Sequence, residues 1–220
     1  MKTAAQGCPQ PVSTETSSPT PTLVQVNAPK AVVAYTDHND DIQMLPASAS
    51  GPSRQTSFSM SFDLTCNVAF FKLDVPVDLK AFPEGKTSLF LHVPPSSISS
   101  LEHSSPNDPP DFVNKQLGTE LACLTFLLRQ PPDLVVPRTS LAPKNKDSGK
   151  KLDALKVLAR HTYFDIFFPA GLLQDSLARD LCALVASPTV RSICQIADIT
   201  GLYAGKGGMV FSEQPSPPPY

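Results

Sequence analysis

Apolar and polar residues alternate most regularly where Phe58, Met60, Phe62 and Leu64 are separated by Ser59, Ser61, Asp63 and Thr65. That is the period of a strand with one buried face. Cys66, Val68 and Phe70 continue the phase, so the pattern predicts one long strand from Phe58 onward, ended by Pro76 and the Phe82-Pro83-Glu84-Gly85 turn. A short apolar strand over 88–93 then pairs back antiparallel. Pro94 and Pro95 open a short helix with Ile98 and Leu101 on one face. Over 121–128 both faces are apolar, the mark of an interior strand, and 133–137 is a short extended piece.

Helical spacing takes over further along. Leu152, Leu155, Leu158 and Ala159 fall on one stripe with Lys150, Lys151, Lys156 and Arg160 off it, and Tyr163 to Phe168 reverts to a buried strand. A second helix is expected over 172–186, with Leu173, Leu177, Leu181, Leu184 and Val185 inward and Ser187-Pro188 as its stop. Ile193, Ile196, Ala197 and Leu202 suit a third, closed by Gly205, Gly207 and Gly208, and 209–211 suits an edge strand. The expected class is α/β or α+β: a single mixed-sheet domain of about four to five strands and about three to four helices. It spans 56–211, between a disordered Ser/Thr/Pro-rich arm over 1–55 and a proline-rich tail over 212–220. Within the arm, Ala31-Val32-Val33-Ala34-Tyr35 has strand propensity but reads as an adventitious apolar patch.

Composition narrows the function classes. The 24 prolines among 220 residues, with only 17% charged residues, place much of the proline outside regular elements. A net charge of -2 gives no global field for nucleic acid or an anionic membrane. Five scattered cysteines without a C-x-x-C pair point to reduced, buried thiols. With no secretory signal pattern and no apolar run near membrane length, an intracellular protein, cytoplasmic or nuclear, is expected.

Candidate chemistry is sparse. The four histidines are scattered without metal-ligand spacing, no G-x-S-x-G occurs, and Cys66, Cys123 and Cys182 sit on expected core faces, so no catalytic residue, metal or cofactor is assigned. Lys144, Lys146, Lys150 and Lys151 read as a solvated loop entering a helix. Gly205, Lys206, Gly207 and Gly208 are the candidate anion-binding residues, since glycines admit close backbone approach and lysine adds charge. Their spacing is not that of a Walker A loop, and they follow a helix; a helix cap and turn is the competing reading. Pro217, Pro218 and Tyr220 form P-P-x-Y, the candidate partner-binding residues. A proline run held near polyproline II docks into an aromatic groove at little entropic cost, and the tyrosine fills a pocket.

Leu134-Val135-Val136-Pro137, Pro143-Lys144, the stretch from Leu152 to Ala159 and the stretch from Leu202 to Gly208 together resemble a group of uncharacterised proteins from filamentous fungi. That resemblance implies a folded domain over about 58–220 in a fungal cell and a proline-rich continuation. It carries no activity and no catalytic residue. Three functions remain open: an adaptor whose tail recruits a WW-domain protein such as a ubiquitin ligase, an enzyme or phosphate- or nucleotide-binding accessory using Lys206, and a structural subunit covered by another chain.

Overall fold

Strand formation starts at Val24, well ahead of Phe58. The computed structural model describes residues 22–36, 41–45, 55–83 and 87–212, and there β1 (Val24–Ala28), β2 (Val32–Thr36) and β3 (Ile42–Leu45) precede β4 (Ser57–Asp63). The expected disordered arm is therefore corrected over 22–36 and 41–45. The apolar patch is core: Ala31, Val32 and Val33 are fully buried. Their partners lie both near, in β3, and far along the chain. Val26 pairs with Met60 and Val33 with Ile166, and the Ala31 amide donates to the Thr56 carbonyl at 2.8 Å, pinning the corner between two sheets.

After β4 the chain turns. Asp63 Oδ1 accepts from the Thr65 and Cys66 amides at 2.8 and 2.9 Å, an Asx turn that breaks the long strand predicted from the alternation. The phase resets in β5 (Val68–Val77): Ala69, Phe71, Leu73, Val75 and Val77 join the core, and Cys66, expected inside, is exposed. Pro76 lies within β5, beyond Asp74, the last residue paired with β4, so no ladder N–H is missing on that side. β6 (Thr87–Val93) pairs back antiparallel, as the pattern predicts.

A 3₁₀ turn (Pro95–Ser97) leads into β7 (Ile98–Ser104) where the sequence predicts a helix. The register slips between Ile98 and Ser100. This bulge brings Ile98 and Leu101, three residues apart, onto one buried face and so mimics helical spacing. α1 (Asp111–Leu117) is a helix the pattern does not reveal, because only Val113 is buried along it. β8 (Leu121–Leu128) and β9 (Asp133–Pro137) follow as predicted. α2 (Lys146–Leu158) starts at Asn145, whose Oδ1 accepts from the Ser148 amide at 2.8 Å. β10 (Tyr163–Pro169), α3 (Asp175–Ala186), β11 (Arg191–Ser192), the single turn α4 (Cys194–Ala197) and β12 (Gly208–Val210) complete the chain; the third helix thus stops short of Leu202.

The architecture is α+β, with four α-helices and twelve strands among the described residues instead of four to five. One sheet runs β1-β4-β5-β6-β9-β12, with β11 beside β5; the other runs β3-β2-β10-β8-β7. All pairings are antiparallel except the two-residue β11–β5 contact. The sheets meet face to face. Phe58 and Phe71 from the first stand edge-on to Phe126 of the second at 6.4 and 5.4 Å, and Phe126 stacks on Phe164 at 5.2 Å. Leu152, Leu155 and Leu158 of α2 and Leu181, Leu184 and Val185 of α3 extend this core. α1 covers the back of the second sheet through Val113, with Val32, Ala34, Cys123 and Phe167 beneath it. No described helix is long and apolar enough to cross a membrane.

Candidate functional site

The outward phase of the first sheet carries rings where a solvated face would carry only polar groups. On β6, Leu89, Leu91 and Val93 face the core while Ser88, Phe90 and His92 face away; β5 adds Phe70 and Lys72 to the same side. A length of chain lies over this face. β11 pairs with β5 and β12 with β9, so residues 193–207 must cross β6, which lies between them. Asp198 shapes the crossing by accepting from the Thr200 amide and hydroxyl at 2.8 and 2.9 Å, which hold its carboxyl below the usual range. Tyr203 then docks: its hydroxyl donates to the Val135 carbonyl at 3.1 Å.

Between this crossing and β6 lies an open cleft of about 440 Å³. Its walls are the rings of Phe82, Phe90 and Tyr203, with Thr87 and Ser88 beside them and Lys206 at the rim. Tyr203 stands 6.5 Å from Phe82 and 5.9 Å from Phe90, tilted by 39° and 46°. The Lys206 ammonium lies 5.9 Å over Phe82, and that of Lys72 lies 5.4 Å over Phe90. Burial, and then the charge of Asp74, push the Tyr203 phenol well above its ordinary value, so it stays protonated and able to donate to the Val135 carbonyl. Two non-glycine residues here, Tyr203 and Ala204, hold left-handed backbone at φ 55° and 57°, a costly conformation of the kind that gathers at functional sites.

The candidate anion-binding residues reach this cleft through one side chain. The amides of Lys206, Gly207 and Gly208 donate to the carbonyls of Tyr203, Leu202 and Ile199 at 3.3, 3.0 and 2.7 Å. These three amides are spent inside the loop, so Gly207 and Gly208 serve a folded turn, and the Lys206 side chain lines the cleft. Gly208 serves packing: a Cβ there would lie 2.9 Å from Val135 Cγ1. Pro217, Pro218 and Tyr220 lie outside the described residues.

The other sequence candidates are dispersed. Lys144 and Lys151 tie α2 and its approach to the β5–β6 hairpin, their ammonium groups donating to the carbonyls of Pro83 and Pro76 at 2.6 and 3.5 Å. His161 packs on Tyr35 at 5.3 Å. His92 is buried between Phe70 and Phe90, its Nε2 without a hydrogen-bond partner, and burial followed by the Lys72 charge lowers it to about 4. Cys123 is buried and pushed up to about 12, chiefly by burial. Among the described residues no three His, Cys, Asp or Glu side chains gather as a metal site. Sequence reasoning missed Phe82 and Phe90, which come from separate elements. The available signal was an aromatic residue, Phe90, on the outward phase of a strand otherwise patterned for one buried face.

No family model, curated protein or solved structure matches the chain.

Proposed function

We propose that the chain is an interaction protein of the adaptor type, with the P-P-x-Y segment, Pro217, Pro218 and Tyr220, as a ligand for a WW domain. The observation that carries this reading is where the motif joins the body. β12 is the edge strand of its sheet, and the chain passes it to reach an exposed Ser212, just ahead of the proline run. A proline-rich ligand leaving an exposed edge meets a partner groove without displacing core contacts. Titration of a WW domain with the full chain tests it. Tyr220→Ala is expected to weaken binding at least about tenfold, and equal affinity of the two proteins would remove the reading.

One observation favours a second reading, a phosphate- or nucleotide-binding accessory: Lys206 stands at the rim of an open cleft of ligand size beside three rings. Saturable binding of a phosphorylated ligand that weakens in Lys206→Ala is the expected result, and an unchanged melting temperature across such ligands would count against it.

A further inference from the structure

We propose that the outer-face cleft takes a small ligand built of a planar aromatic ring and an anionic group, with Phe82, Phe90 and Tyr203 receiving the ring and Lys206 the anion. This rests on the second reading above and gives that site its ligand chemistry. The three rings are only partly buried and line one open cleft, with the flexible ammonium groups of Lys206 over Phe82 and Lys72 over Phe90. Tyr203 is held in place by its bond to the Val135 carbonyl and by the left-handed backbone of the turn that carries it.

Charge favours an anion. Lys206 is exposed and makes no ion pair among the described residues. Other cations stand nearby: Lys72 over the Phe90 ring, Lys144 on the Pro83 carbonyl and Arg138 on the Gly208 carbonyl at 3.3 Å. Among the described residues, Asp74 beside Tyr203 is a carboxylate that opposes them. Because the amides of Lys206, Gly207 and Gly208 are spent internally, a bare phosphate would meet a flexible ammonium without those three donors. Stacking must then supply much of the binding, and stacking on aromatic side chains accepts any planar ring. The chemistry is shared by nucleotides and by simple aryl phosphates.

Calorimetric titration of the full chain with adenosine 5′-monophosphate, phenyl phosphate, adenosine and inorganic phosphate tests the proposal. Saturable binding of at least one of the first two is expected, with adenosine and inorganic phosphate each at least about tenfold weaker. Preference for the nucleotide or for phenyl phosphate identifies the source of the ring. Lys206→Ala should bring the affinity for the phosphorylated ligand down to that for the unphosphorylated ring, and Phe82→Leu should weaken it at least about fivefold. Lys206 is exposed, so its variant keeps the fold; an unchanged melting temperature without ligand verifies this. Inorganic phosphate binding as tightly as the nucleotide would overturn the role of the rings and leave the phosphate-binding reading standing. Adenosine binding as tightly would overturn the role of Lys206. Saturation by none of the four would overturn both readings.

Discussion

Replacing Gly208 by alanine adds one methyl group at the place where the crossing segment meets the sheet. That carbon would lie 2.9 Å from Val135 Cγ1 and 3.4 Å from the Ile199 carbonyl oxygen and from Tyr203 Cε2. Val135 has nowhere to retreat: it is 1% exposed and held in register by Phe90 on one side and Val210 on the other. Either β12 or the loop bearing Tyr203 must shift. Overpacking of this kind costs about 1–3 kcal/mol, while removing glycine's freedom in the unfolded chain returns about 0.4–1 kcal/mol. The expected net loss is about 1 kcal/mol, or about 2–4 °C in melting temperature for a chain of this size. Gly201→Ala is the control, because nothing lies within 4 Å of its added carbon and its backbone is not left-handed; it should be neutral or slightly stabilising. Urea and thermal denaturation measure both. Equal stability of Gly208→Ala and wild type, or equal losses in the two variants, would refute the close approach of the crossing segment to β9.

Phe126→Ala removes the ring at which both sheets meet and should cost about 3–5 kcal/mol in urea denaturation; a loss below about 1 kcal/mol would contradict face-to-face packing. His92 is lowered to about 4 in the fold against about 6.5 when unfolded. The unfolded chain thus takes up a proton that the native state refuses, and stability should fall by up to about 3 kcal/mol as pH drops from about 6.5 to 4. Asp133, opposite His92 on β9 and raised by burial, contributes the opposite slope, so the test is the difference between wild type and His92→Phe, which should change with pH below about 6.5 and level off to a constant above about pH 7. Thiol labelling of the native protein, read by mass spectrometry, should modify exposed Cys66 and Cys194 and spare buried Cys123 until the chain unfolds; early labelling of Cys123 would contradict its place under α1.

Much of the sheet scaffold is legible in local pattern. Val68 onward, Thr87–Val93, Leu121–Leu128 and Tyr163–Pro169 carry enough contiguous apolar residues to declare themselves. The misreadings have physical causes of three kinds. Ala31 to Tyr35 looks like an isolated patch because one of its two neighbouring strands, β10, is more than a hundred residues away, and the other, β3, is too short to show an apolar pattern of its own. Ile98 and Leu101 share a face through a bulge, which no spacing rule distinguishes from a helical turn. The long strand from Phe58 is cut by one side chain, since Asp63 caps a turn that flips the phase before Phe70. The cleft was least legible. Phe82, Phe90 and Tyr203 come from a turn, a strand and a crossing loop, and their meeting depends on β11 and β12 pairing with different strands of one sheet. Lys206 lines the cleft, while Gly207 and Gly208 beside it serve a turn and close packing with their amides bonded inside the loop.

Amide chemical shifts of the labelled full chain during titration with a WW domain test the adaptor reading most directly. Saturable shifts confined to the residues beyond Ser212, lost in Tyr220→Ala while the amides of both sheets stay in place, are the predicted result. Shifts on the sandwich with none beyond Ser212, or none at all at saturating WW domain, would contradict it.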